Sequence, residues 1–171
     1  MWVYLFRHGP AGQRDAERWP DDGQRPLTAR GERKTTRAAR GLARLERRPA
    51  QLFTSPLERS ARTATILQQS LNVVRAPQIA EELSPGGSPQ KLIARLQRWN
   101  GEVAVVVGHE PDLGRLAGLL LFGDPEGTLP LKKSGCCAIA FEDAVHAGAG
   151  RLVWLLSPRL LRRAAGKAVR A

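Results

Sequence analysis

Apolar residues fall along this chain in two kinds of run. Residues 2–6 are five consecutive apolar positions that stop at Arg7-His8-Gly9, and residues 103–107 are five more that stop at Gly108-His109-Glu110-Pro111. Short unbroken runs rich in β-branched and aromatic residues predict strands buried on both faces of a sheet. Residues 51–54, 136–141 and 152–156 predict three further strands. Elsewhere the period lengthens. Leu57, Ala61, Ala64, Leu67 and Leu71 recur at helical spacing, as do Leu92, Ile93 and Leu96, and then Leu113, Leu116, Leu119 and Leu120. Thr28 reads as the N-cap of a helix of roughly 18 residues, with Leu42 and Leu45 near its end and Pro49 beyond it. Its outer face is basic (Arg30, Arg33, Lys34, Arg37, Arg40, Arg44). In Ser55-Pro56-Leu57-Glu58 the spacing predicts a capped helix start, with Ser55 as cap, Pro56 in the first helical position and Glu58 closing a capping box. Ser88-Pro89 and Ser157-Pro158 predict two more starts. Residues 9–27 and 77–85 read as loops, the second carrying Glu81 and Glu82.

Strands alternating with helices imply an α/β layered fold around a mostly parallel sheet. We expect one domain over residues 1–160, followed by a basic tail over 161–171 with Arg162, Arg163, Lys167 and Arg170. Open sheets of this kind bind ligands beyond the carboxyl ends of their strands. Residues 7–9, 55–59 and 108–110, far apart in sequence, should therefore meet along one edge.

Composition narrows the classes. With 171 residues, 42% hydrophobic and 25% charged, the chain is neither a disordered tail nor a membrane protein. No apolar run nears the ~20 residues of a spanning helix, and the first run is too short for a signal peptide, so we expect a cytosolic protein. The only cysteines, Cys136 and Cys137, are adjacent and on a strand would face opposite ways, which argues against a disulfide between them. The net charge of +11 points to an anionic partner. Aromatics make up 5% of the chain and are not interleaved with the basic residues as single-strand binding requires, which argues against nucleic acid.

The predicted edge gathers two imidazoles, His8 and His109, with the guanidiniums of Arg7 and Arg59, and the first long loop can add Arg25. Arginine forks match phosphate oxygens, and helix starts near Ser55 and Pro111 add backbone N–H groups. A histidine among cations and away from water stays neutral and nucleophilic. Such a site could attack phosphorus without a metal. Taken singly, His109 reads as a structural hydrogen-bonding residue, Arg59 as a residue of a helix start and Arg25 as a loop charge; their convergence is what suggests a site. No Gly-x-x-x-x-Gly-Lys-Ser/Thr loop and no Gly-x-Gly-x-x-Gly follows a strand. Neither cysteine has an arginine six residues on, and three histidines in all argue against a His-rich metal centre.

Arg7-His8-Gly9 after the first strand, Ser55-Pro56-Leu57-Glu58-Arg59 with Thr63-Ala64, and Gly108-His109 after an apolar strand together resemble the histidine phosphatase superfamily. Arg25-Pro26-Leu27-Thr28 with Gly31, Glu82-Leu83-Ser84-Pro85-Gly86, Ser134-Gly135 and the final Ser157-Pro158 resemble its small SixA-type branch. The resemblance implies a three-layer α/β/α sandwich of phosphoglycerate mutase-like fold without a cap domain. It implies His8 as the nucleophile that becomes phosphorylated, Arg7, Arg25 and Arg59 as phosphate ligands, and His109 completing the pocket, with no metal or organic cofactor. Glu82, with Glu81 beside it, falls where many relatives place a general acid. The expected function is a metal-independent phosphatase acting on phosphohistidine in a signalling protein. The alternatives are a small phosphomonoesterase acting on another phosphorylated compound, or a non-catalytic basic module that binds polyanions or phosphoproteins.

Overall fold

The protein's structure, a computed structural model, describes residues 1–45, 49–99, 101–124 and 126–166. Eleven labelled elements follow one another: β1 (Trp2–Arg7), α1 (Ala29–Leu42), β2 (Gln51–Thr54), α2 (Glu58–Leu71), β3 (Gln78–Ile79), α3 (Pro89–Arg98), β4 (Val103–Gly108), α4 (Asp112–Phe122), β5 (Cys136–Ala140), β6 (Arg151–Leu156) and α5 (Pro158–Ala164). Short 3-10 turns at Asp22–Gln24 and Glu81–Leu83 punctuate the two long loops.

The strands form one sheet in the order β3-β2-β4-β1-β5-β6. β4 runs parallel to both β1 and β2, and β3 runs parallel to β2. β5 runs antiparallel to β1 and β6. The sheet is therefore parallel through its centre and antiparallel at one side.

Alternation along the strands sorts the core into two halves. Val3, Leu5, Val106 and Ile139 face α3 and α4, packing on Leu92, Leu96, Leu113 and Leu120. Tyr4, Phe6, Val105 and Ala138 face α1, α2 and α5, packing on Ala39, Leu42, Leu67 and Leu161. Side chains of neighbouring strand residues point to opposite faces, so each run of unbroken apolar sequence feeds both layers. Cys136 and Cys137 follow the same rule: both are buried, unbonded and assigned to opposite halves of the core. Among the described residues, no helix is long and apolar enough to cross a membrane.

Three expectations need correction. α2 begins at Glu58, its N-cap is Leu57 and no side chain caps it, so Ser55 is not the cap, Pro56 lies before the helix and Glu58 closes no capping box. Ser55 instead continues the strand direction, its amide donating to the Val107 carbonyl at 3.0 Å, while its hydroxyl accepts the Leu57 amide at 3.3 Å, ahead of the helix, and also reaches His109. α1 is shorter than expected; after Leu42 the chain tightens into i→i+3 turns, with Arg44 N–H on the Gly41 carbonyl at 3.2 Å and Leu45 N–H on that of Leu42 at 3.0 Å. The segment expected as a plain loop at 77–85 contains β3, two exposed residues without an apolar pattern. The caps at Thr28, Ser88 and Ser157 are as expected, each hydroxyl accepting a backbone N–H of its helix's first turn.

α5 runs across residue 160 and lies on α1. Leu161 has no solvent exposure. A Cβ on Gly41 would stand 1.8 Å from the Leu161 carbonyl oxygen, so the two helices meet where α1 lacks a side chain. Lys167 and Arg170 of the expected tail lie outside the described residues.

Candidate active site

Strand register sets the geometry. β1 and β4 pair with Arg7 opposite Gly108, so the next residue of each, His8 and His109, emerge abreast at the carboxyl edge. The His8 amide donates to the Gly108 carbonyl at 3.1 Å. β2 pairs with β4 with Thr54 opposite Val107, which places Ser55 beside them. The ring centroids of His8 and His109 are 5.0 Å apart, tilted by 53°. Both residues are buried, at 6% and 4% exposure.

His8 has a defined tautomer. Its Nδ1 lies 2.7 Å from the Gly9 carbonyl oxygen, and a carbonyl only accepts, so Nδ1 carries the proton and Nε2 keeps its lone pair. Burial lowers the pKa of the ring from 6.5 to about 3; the Gly9 carbonyl opposes this, and His109, Arg59 and Arg7 add to it. His8 is thus a neutral imidazole with a free Nε2.

His109 is held from the other side. Its Nε2 lies 2.8 Å from the Ser55 hydroxyl and 3.3 Å from the Ser60 hydroxyl. If both hydroxyls donate, the proton of the neutral ring sits on Nδ1, which is buried and has no partner. Burial, with Arg59 next, lowers the pKa of this ring to about 4.

α2 brings polar groups to the same edge. Arg59, only 4% exposed, lies in its first turn. Thr63, one turn on, accepts the Gly9 amide at 3.0 Å and donates to the Arg59 carbonyl at 2.7 Å. This ties the loop after β1 to the helix carrying Arg59. Arg7 donates through Nη1 to the Leu131 carbonyl at 2.8 Å, and the Leu131 amide donates to Glu110 at 2.8 Å. Arg7 Nε and Arg59 Nε are buried without partners. The Nε–H groups of Arg7 and Arg59 are thus unsatisfied, and His109 Nδ1 also lacks a partner, in a protein interior that normally pairs such groups.

Arg25 lies on the same rim, its Nε 2.8 Å from Asp22 Oδ1 and its Nη1 2.7 Å from the Gly12 carbonyl. Glu82 forms an ion pair with Arg95 at 3.0 Å and lines a small crevice that also includes His109 and Asp112. Burial acts to raise the Glu82 pKa, but hydrogen bonding to its own backbone and to Arg95 holds it below the ordinary carboxylate range. A carboxylate so held is a poor proton donor near neutrality. Glu81 is exposed.

The structure therefore brings His8, His109, Arg7, Arg59 and Arg25 to one rim and places Glu82 beside it as an ionised partner of Arg95. Sequence reading gave no role to four residues, of which Ser134 entered only as part of a motif. Asp22 pairs with Arg25 and Arg59. Lys133 has its ammonium pKa lowered by burial and then by the charges of Arg7, Arg25 and Arg59. Ser134, at φ 60°, donates its amide to the carbonyls of Arg7 and His8 at 3.0 and 3.2 Å. Ser60 faces His109. The signal available was the density of Ser and Thr around the edge motifs, which reads equally as capping chemistry.

Among the described residues, no cluster of three or more His, Cys, Asp or Glu side chains is arranged to hold a metal ion. The rim sets cationic guanidinium donors at the same edge as the unprotonated nitrogen of His8, a combination complementary to a tetrahedral oxyanion.

Comparison with known proteins agrees with this chemistry. The chain belongs to the histidine phosphatase superfamily, branch 1, whose pattern matches residues 3–86, and within it to the SixA-like branch with the phosphoglycerate mutase-like fold. It is 37% identical over 155 residues to an uncharacterised protein of Picosynechococcus sp., covering 89% of this chain and 88% of that one. The protein histidine phosphatase SixA, solved with tungstate, superposes with a TM-score of 0.79 at 26% identity, covering 94% of this chain and 99% of that one. The alpha-ribazole phosphatase of Shigella flexneri shares the fold at a TM-score of 0.68 and 18% identity, covering 92% and 97%.

Proposed function

We propose that the protein hydrolyses phosphohistidine on a signalling protein, through a phosphorylated His8 and without a metal. The observation that carries this reading is a neutral His8, its Nδ1 held by the Gly9 carbonyl, buried beside His109 at an edge shared with the unpartnered Nε–H groups of Arg7 and Arg59. The likeness to a SixA that holds the oxyanion tungstate supports it.

In this reading His8 Nε2 attacks phosphorus in line. The new N–P bond forms as the bond to the leaving group breaks. The proton on Nδ1, shared with the Gly9 carbonyl, stabilises the charge that develops on the ring. Arg7, Arg59 and His109 donate to the three equatorial oxygens, where preorganised donors are typically worth about 3 kcal/mol each. Water then attacks the phosphoryl group, and His8 leaves as neutral imidazole with its Nδ1 proton retained.

The state of Glu82 bears on the substrate. An alkyl phosphate leaves as alkoxide unless an acid protonates it, whereas a phosphorylated imidazole, protonated on its other nitrogen, leaves neutral. A pocket whose carboxylates Glu82 and Asp22 are both ionised and paired with arginines favours the second.

The test is turnover of an aryl phosphate in EDTA by the wild-type protein and by His8→Ala, together with trapping of an acid-labile, base-stable phosphoenzyme. We expect turnover and trapping in the first and neither in the second. Equal activity in both would overturn the mechanism. Faster release of phosphate from sugar phosphates than from a phosphohistidine protein would replace the substrate with a small metabolite.

A further inference from the structure

We propose that Asp22 is a positioning residue that aims the guanidiniums of Arg59 and Arg25 at the phosphoryl group. The proposal rests on the phosphatase reading of this pocket. Asp22 opens the short 3-10 turn in the loop between β1 and α1. It belongs to neither strand nor helix of the site, yet it is the residue on which both arginines converge.

The contacts are specific in their edges. Arg59 Nη1 donates to the Asp22 backbone carbonyl at 2.7 Å, and its Nη2 pairs with Asp22 Oδ2 at 3.0 Å. A guanidinium presents two forked edges, one across its two Nη atoms and one across Nε and an Nη. Asp22 occupies the first of these on Arg59 with two of its own oxygens. The side edge is left, and its Nε is the atom found buried and unpartnered. Arg25 is held the opposite way: its Nε is 2.8 Å from Oδ1 and its Nη2 3.4 Å from Oδ2. Its Nη1 is anchored on the Gly12 carbonyl at 2.7 Å, leaving the remaining Nη hydrogens for a ligand. One carboxylate thereby fixes complementary edges of two arginines. Each long side chain is rotationally locked before any ligand arrives, so little ordering remains to be done on binding.

Two other roles fit less well. Asp22 is poorly suited to be the acid, since the Arg25 hydrogen bond, followed by the charges of Arg59, Arg25 and Arg14, keeps it ionised despite some burial. It could also act only as a competing anion that the phosphoryl group must overcome. These roles differ in the sign of what a neutral replacement does. Removing a mere competitor tightens oxyanion binding and spares the chemical step. Removing a positioning residue loosens oxyanion binding and slows the chemical step.

The experiment measures aryl phosphate turnover and inhibition by inorganic phosphate in the full chain, for wild type, Asp22→Asn, Asp22→Glu, Arg25→Ala and the double variant Asp22→Asn/Arg25→Ala. We expect Asp22→Asn to lower kcat about 10- to 100-fold, as loss of an orienting partner commonly does at other sites, and to raise the phosphate inhibition constant. Asp22→Glu recovers part of both losses, which shows that the charge and not the fold was removed. In the Arg25→Ala background the effect of Asp22→Asn on kcat shrinks, because one of the two groups it acts through is already gone. An unchanged kcat, a lower phosphate inhibition constant, or full additivity with Arg25→Ala overturns the proposal. A wild-type protein without turnover would instead count against the proposed function; calorimetric binding of tungstate to wild type and Asp22→Asn then decides the positioning role, with weaker binding in the variant supporting it and equal or tighter binding overturning it.

Discussion

His8 works only as well as the atoms that fix its ring. Gly9 supplies the carbonyl that holds Nδ1, and a Cβ at this position would lie 2.1 Å from the Thr35 hydroxyl, which is itself 3.0 Å from that of Ser134. Gly9→Ala should therefore displace the loop and abolish most turnover while leaving the protein folded, as checked by circular dichroism alongside kcat/KM. Ser55→Ala leaves His109 Nε2 with only the longer Ser60 contact. We expect a loss in kcat of about tenfold, the worth of one neutral hydrogen bond of roughly 1.4 kcal/mol, with little change in KM. Ser55 also marks a limit of sequence reading. Its setting before Pro56 is that of a helix cap, and only coordinates show that strand register brings its hydroxyl to a histidine. Asp22 was illegible for a related reason: a loop carboxylate has no periodicity, and its partners lie across the fold.

Strands and helices were legible where burial imposes a pattern. The run at residues 103–107 is apolar throughout because α-helices cover both of its faces, and the helix starts at Ser88 and Ser157 follow from cap chemistry that is local to four residues. β3 was invisible, since two exposed residues at a sheet edge need no apolar pattern. The end of α1 was misplaced because apolar spacing continues through Leu45 after the helical hydrogen bonds have ceased. The contact of α5 with α1 was also not legible, as two adjacent leucines in a basic segment, Leu160 and Leu161, do not say which one faces the core. That contact makes a prediction of its own. Leu161→Ala should destabilise the protein by about 3 kcal/mol, the usual cost of emptying a leucine site, read as a fall in the denaturant midpoint. Catalysis should change little, because the residues around His8 and His109 come from other elements.

For the whole molecule, two neutral histidines buried together couple folding to pH. Both have folded pKa values depressed below 6.5, to about 3 for His8 and about 4 for His109. The unfolded chain therefore binds more protons, so this stability is fully present above about pH 6.5 and is lost as pH falls toward the folded values. At about pH 4.5 each ring costs about 3 kcal/mol. We expect the melting temperature to decline across this window and His8→Asn to flatten part of the decline. If the proposed mechanism holds, turnover at saturating substrate should meanwhile persist from neutrality down to about pH 5, because His8 is still unprotonated there. The two thiols on β5 carry a separate consequence. Burial drives the Cys137 pKa up to about 12 and that of Cys136 well above its ordinary value, so neither offers a thiolate to an electrophile. Iodoacetamide or dilute peroxide, added at concentrations that silence cysteine-dependent dephosphorylating enzymes, should leave this one running.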